Sequence, residues 1–316
     1  MPPITLINTT ENTAIDWLLC RIIAHYESTF TRRIAGYYLI GSYTDASALQ
    51  TSDVDLYIVF KQPSQTRDEL EAVQQLNQRL EDTARKHAIE IDISLLSEGD
   101  LQTQGITPTL KLGGCLLFGE DICGRYPLVT IQQWAHERMH AVYYLLTTIY
   151  RRHARLRLAY PNENDEFYGY MNRSIQLSDG REALSTRNLV RTTGWAATAL
   201  LAFKSGQYVT RKSDCHILYR QYIGDEWSRL IEDVYTLCRQ RWNYLVPKNP
   251  NERKQLSTLC EQVLLFERHF LHTYKAFLLR ELYEGPEAYR QDALTFQKRL
   301  PFEDNEVEDA LRISAP

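Results

Sequence analysis

The stretch AGYYLIGSYTDASALQTSDVDLYIVF, residues 35–60, decides how this chain is read. Its ends are apolar runs, AGYYLIG at 35–41 and VDLYIVF at 54–60, each the length of a buried strand. A Ser-, Thr- and Asp-rich loop, 42–52, joins them. Asp53 and Asp55 stand either side of Val54 where the second run opens. Side chains alternate faces along a strand, so both carboxylates emerge on one side while Val54 and Leu56 enter a core. Two carboxylates on one face disfavour each other's ionisation unless a cation lies between them. Mg2+ suits that position, because it takes oxygen ligands and is readily shared with substrate phosphates. Gly41 permits close backbone approach, and Ser42 offers a hydroxyl and an amide to phosphate oxygens. An Asp-Val-Asp triplet also opens ordinary capped edge strands, so the reading rests on the ordered combination of strand, Gly-Ser, loop and acidic strand.

Working outward, residues 11–31 carry Trp17, Leu18, Ile22, Ile23 and Tyr26 at helical spacing, and 66–87 carry Leu70, Val73, Leu76 and Leu80. Residues 88–96, AIEIDISLL, alternate as a third strand. Asp92 lies at its centre, between Ile91 and Ile93, and Glu90 shares its parity. Asp92 is the preferred third carboxylate and Glu90 the alternative. Either would complete a site for one or two metal ions or accept the proton of an attacking hydroxyl.

Beyond residue 100 strand signals fade. Gly113, Gly114, Gly119, Gly124 and Pro127 mark a transition, followed by helical patterns at 130–158, 182–205, 211–222, 224–243, 250–283 and 285–297. The expected plan is an α/β (α+β) domain over 1–125, an all-α helical domain over 126–300, and a loose acidic tail over 301–316.

Bulk properties narrow the classes. A formal charge of −4 argues against nucleic-acid binding through net charge. No apolar run has the length of a membrane span, and MPPITLINTTENT lacks the features of a secretory signal. The six cysteines contain no CxxC pair and are expected to be reduced thiols of a cytoplasmic protein.

Ile40-Gly41-Ser42, ten residues, then Asp53-Val54-Asp55-Leu56 resembles the signature of the polymerase-beta-type nucleotidyltransferase superfamily, with Ser52 just before the first aspartate. The resemblance implies a small mixed sheet with helices, Asp53 and Asp55 as metal ligands, and Gly41, Ser42 and Ser52 beside the nucleotide. Asp92 is the counterpart of its third acidic residue and is expected to bind metal or act as base. More weakly, the chain resembles aminoglycoside adenylyltransferases. Residues 111–121, KLGGCLLFGED, are similar to their glycine-bounded stretch, and 205–212, SGQYVTRK, to a segment whose lysine reaches the triphosphate. That implies a phosphate contact from Lys212, with Arg211 as substitute, and ATP bound between the two domains. The arginine those enzymes carry one helix earlier has no counterpart at 195–199, Arg191 being nearest.

Three other features bear on function. The loop 159–181 sets Glu163, Asp165 and Glu166 beside Phe167, Tyr168 and Tyr170, which suits a cationic or sugar-like acceptor or an ordinary solvated loop. Arg151, Arg152, His153, Arg155 and Arg157 read as a helix C-terminus complementing its dipole, or as a phosphate or RNA contact. His136-Glu137-Arg138-Met139-His140 is a formal HExxH, but no third zinc ligand is evident and zinc is not expected. His269 and His272 are expected to pack, and Trp195, Trp227, Trp242 and Tyr244 to fill a helical core.

The sequence therefore predicts a Mg2+-dependent transferase moving AMP from ATP to a hydroxyl of a small, aminoglycoside-like molecule, with a small-molecule acceptor preferred over a macromolecule and no membrane partner. Modification of a protein or tRNA, and non-catalytic nucleotide binding, are the alternatives.

Overall fold

The computed structural model describes residues 4–45, 47–61, 67–149, 166–177 and 180–314. The chain divides into two compact units. The first holds Met1–Thr130, Ile175–Ala183 and Thr210–Lys212; the second holds Ile131–Ser174, Leu184–Val209 and Ser213–Pro316.

The first unit is built on a mixed four-stranded sheet in the order β3-β2-β1-β4. Its strands are β1 (Ile34–Ile40), β2 (Val54–Phe60), β3 (Ile91–Ser97) and β4 (Cys115–Gly119). β1 runs antiparallel to both neighbours, and β2 runs parallel to β3. The parallel pair needs a crossover, which α2 (Arg67–Arg85) supplies. α1 (Thr13–Thr29) starts where the Asn12 side chain accepts from the amides of Ala14 and Ile15, at 3.1 and 3.3 Å.

Alternation along the strands gives the sheet two different faces. Val54, Leu56 and Ile58 pack with Tyr37, Leu39 and the buried faces of α1 and α2, including Leu18, Ile22, Val73 and Leu80. Each such fully buried aliphatic side chain contributes about 1.5–3 kcal/mol. Trp17, expected on this face, is largely exposed and meets His87 edge-on. The opposite face carries a smaller core of Ala35, Tyr38, Val59, Leu101, Ile106, Leu110 and Ile122, covered by α3 (Glu98–Gln104) and α4 (Pro108–Gly113). This second core does not extend to the start of β2, where the aspartates lie.

β4 was not expected. It is only five residues long and mostly half-exposed, so it lacks the alternation that marks β2 and β3.

The second unit is helical around one large core. α5 (Ile131–Tyr144) ends in a π-helical turn, Leu145–Ile149. A two-stranded ribbon pairs β5 (Ser174–Gln176) with β6 (Glu182–Leu184). The helical pattern predicted from residue 182 begins only at α6 (Arg187–Leu200). α7 (Cys215–Tyr222) and α8 (Ser228–Asp233) precede the 35-residue α9 (Pro250–Glu284), which Asn249 caps and Pro250 opens. α10 (Glu287–Arg299) matches the last helical pattern.

Within the tail expected to be loose, the described residues include α11 (Asn305–Ser314), with Val307 and Ala310 buried. Its charges occupy one face and its small apolar residues the other, so the acidic composition hid an amphipathic helix. Among the described residues no helix is long and apolar enough to cross a membrane.

Candidate active site

β2 fixes the central carboxylates. Asp53 and Asp55 are half-buried, while Val54 and Leu56 between and beyond them are fully buried. Both acids therefore leave the sheet away from the α1–α2 core, as period-two geometry requires. The parallel ladder sets Asp55 against Asp92, in a register that runs from Val54↔Ile91 to Phe60↔Ser97. Register partners share a face, and their backbones lie about 4.8 Å apart. Asp92 is exposed. Glu90 is also exposed and lies one position before the ladder, its carbonyl accepting from Val54 N at 2.8 Å. Asp92 is thus the acid opposite Asp55.

On the other side β1 pairs with β2 in a register that sets Ile40 against Asp55. Gly41 follows, with φ +79°, and a Cβ built there would lie 2.6 Å from Asp55 Oδ2. Only glycine satisfies both the backbone angle and the space. Residues Gly41–Thr44 form one 3₁₀ turn, which Thr44 closes by donating its hydroxyl to Gly41 O at 2.8 Å. Ser42 sits half-buried within it.

Ser52, predicted beside the nucleotide, is buried, and its local bonds shape the loop. Its Oγ accepts from Leu49 N and its amide donates to Leu49 O, both at 2.9 Å. This reciprocal pair delivers the chain to Asp53.

Arg211 and Lys212 are exposed, and Thr210–Lys212 belongs to the first unit although it lies some hundred residues beyond the sheet in sequence. Thr210 Cγ2 lies 3.0 Å from where a Gly113 Cβ would stand. Arg211 Nε lies 3.7 Å from Asp45 Oδ2, in the loop after Ser42. The sequence reading missed Asp45, although Asp two residues before Ser47 is an Asx-turn pattern, and Ser47 N does donate to Asp45 Oδ1 at 3.1 Å.

The predicted set of three metal ligands is not assembled: among the described residues no group of three or more His, Cys, Asp or Glu is placed to hold a metal ion. Asp53 immediately precedes β2 and lies outside the ladder that pairs Asp55 with Asp92. The donor chemistry nonetheless fits a hard cation. Mg2+ is commonly held by one or two carboxylates, with phosphate oxygens and water completing its shell.

The remaining features resolve structurally. His136 Nδ1 faces Glu281 Oε2 at 3.1 Å and its ring stacks on Tyr289, while His140 Nδ1 bonds Tyr274 OH at 2.9 Å. Both HExxH histidines thus belong to the helical core. Phe167 and Tyr170 are buried, Tyr170 bonds Glu267, and Glu166 pairs with Arg253. These residues of the supposed acceptor loop hold the helical unit together. Glu163, Asp165 and the basic run Arg151–Arg157 lie outside the described residues. Trp242 and Tyr244 are buried, Trp195 and Trp227 pack against the same core, and His269 stacks on Phe266. All six cysteines are free thiols.

Residues 23–110 match the family model described as "Polymerase beta, Nucleotidyltransferase". That span takes in β1, the Gly41 turn, β2, α2 and β3. No curated protein sequence matches the chain. Among solved structures, the chain is similar to "spectinomycin adenyltransferase AAD(9) from Enterococcus faecialis with ATP and spectinomycin", at 12% identity and TM-score 0.45, over 79% of this chain and 100% of that one.

Proposed function

We propose that this protein, whose first unit matches the polymerase-beta nucleotidyltransferase model over residues 23–110, transfers a nucleoside monophosphate, AMP from ATP, to the hydroxyl of a small molecule. The observation that carries the proposal is the junction of Gly41, Asp55 and Asp92: a glycine turn pressed against one carboxylate, with a second carboxylate in register on the next strand.

Each residue has a role that its position supports. Asp53 and Asp55 would hold Mg2+, which when bound neutralises phosphate charge. The Gly41–Thr44 turn, with the Ser42 amide and hydroxyl, would face the phosphates, and Arg211 and Lys212, which belong to the same unit, would add positive charge. Asp92 accepts the proton of the acceptor hydroxyl. That oxygen forms a bond to the α-phosphorus, the bond from the α-phosphorus to the bridging oxygen breaks, and pyrophosphate leaves with its electron pair. The exposure of Asp92 leaves room for an acceptor beside it.

Incubation with α-labelled ATP, CTP, GTP or UTP and Mg2+ tests this, against an aminoglycoside panel, bulk tRNA and the protein alone. Label on a small molecule supports the proposal. Label on tRNA or protein would move the acceptor to a macromolecule, and nucleotide binding without label would leave a binding protein.

A further inference from the structure

We propose that Asp45 is a positioning residue for Arg211, so that a segment far away in sequence is tethered to the glycine turn as part of the nucleotide site. The inference rests on the nucleotidyltransferase reading above and adds a residue to it. Two contacts support it independently. Thr210 packs against the backbone at Gly113, so the segment is seated in the first unit by shape. Arg211 then turns its Nε toward Asp45 Oδ2 at 3.7 Å.

The two sides of this pair differ in freedom. Asp45 is the more buried, its side chain 16% exposed against 47% for Arg211, and its other oxygen is fixed by the Ser47 amide. The rigid partner is therefore the carboxylate, and the cation is the one oriented. The closest approach to Asp45 is made by Nε, and the guanidinium also carries a planar fork of terminal amino groups. That fork is the part of arginine that matches two phosphate oxygens at once. A carboxylate that merely competed with phosphate for Arg211 would have the opposite consequence, because removing it would strengthen binding.

The test is Mg·ATP binding by calorimetry to wild type and to the Asp45→Asn, Asp45→Glu, Arg211→Gln and Asp45→Asn/Arg211→Gln variants. Asparagine can still accept from Ser47 N, so the loop turn is retained and only the charge is lost. Asp45→Asn is expected to weaken binding about threefold and Arg211→Gln about tenfold, as for a partly exposed ion pair and a charged phosphate contact. The double variant should bind as Arg211→Gln does, and Asp45→Glu should restore binding to within about twofold. A merely structural Asp45 would give additive losses instead. Unchanged or tighter binding by Asp45→Asn, or additive losses, overturns the inference and leaves the nucleotidyltransferase reading standing. Failure of the wild type to bind any nucleoside triphosphate overturns both.

Discussion

Gly41 and Asp55 meet so closely that a Cβ on residue 41 would stand 2.6 Å from Asp55 Oδ2. The contact ties the end of β1 to the start of β2, and it places a carboxylate against the turn that the proposed function assigns to the nucleotide.

Gly41→Ala is therefore expected to act twice. A positive φ costs a residue with a Cβ about 1–2 kcal/mol, and the methyl must displace the Asp55 carboxylate. Thermal unfolding should fall by several degrees, and transfer should fall much further than the stability change accounts for. A normal transfer rate in a folded Gly41→Ala protein would show that Asp55 need not touch this turn.

Asp92→Asn separates the base from the cation ligands. Loss of a general base lowers kcat by about 10²–10⁴-fold while KM for the nucleotide changes little. Glu90→Gln, one position before the ladder, should leave kcat within about threefold of wild type. Steady-state kinetics on both variants checks the choice, and the reverse ranking would transfer the role to Glu90.

Lys111 spans the turn beyond β4, donating from Nζ to the carbonyls of Cys123 at 2.6 Å and Tyr126 at 2.5 Å. Lys111→Met keeps the stem and removes two charged hydrogen bonds, at a cost of about 2–3 kcal/mol. Denaturant unfolding should report that loss. An unchanged midpoint would mean that water satisfies both carbonyls equally well.

His140 makes acid stability of the helical unit measurable. Phe302 N donates to Gln297 Oε1, which fixes the amide so that Gln297 Nε2 donates to Tyr274 OH. The single Tyr274 proton is then directed at His140 Nδ1, which must accept and belongs to a neutral ring. Burial, assisted by His136, pushes the His140 pKa down to about 3. The unfolded chain, with an ordinary histidine, binds the extra proton first, so the stabilisation is complete above about pH 6.5 and is lost as pH falls toward 3. The loss is on the order of 3–5 kcal/mol over that window. Unfolding free energies at pH 7, 5 and 4 should fall more steeply for wild type than for His140→Gln. Equal slopes would place the proton elsewhere.

The sheet was legible where burial imposed a period. β2 and β3 alternate because one face meets α1 and α2, and the spacing from Gly41 to Asp53 survives as a sequence pattern. β4 was not legible, because a five-residue, half-exposed edge carries no period. The helix at 305–314 was masked by its charges. Within the site, parity put Asp53 and Asp55 on one face and left Asp92 and Glu90 as alternatives, but it could not show that Asp53 stands outside the rung formed by Asp55 and Asp92. Asp45 and Thr210 depend on contacts between residues far apart in the chain, Asp45 with Arg211 and Thr210 with Gly113, which no local pattern encodes.

The most direct measurement is transfer from α-labelled ATP with Mg2+ by wild type, Asp53→Asn and Asp55→Asn, with pyrophosphate release followed in parallel. The account predicts a labelled acceptor and equimolar pyrophosphate from wild type, and a loss of more than about a hundredfold in each variant with the fold intact. Undiminished transfer by both variants, or no nucleotide turned over by wild type with any acceptor, would contradict it.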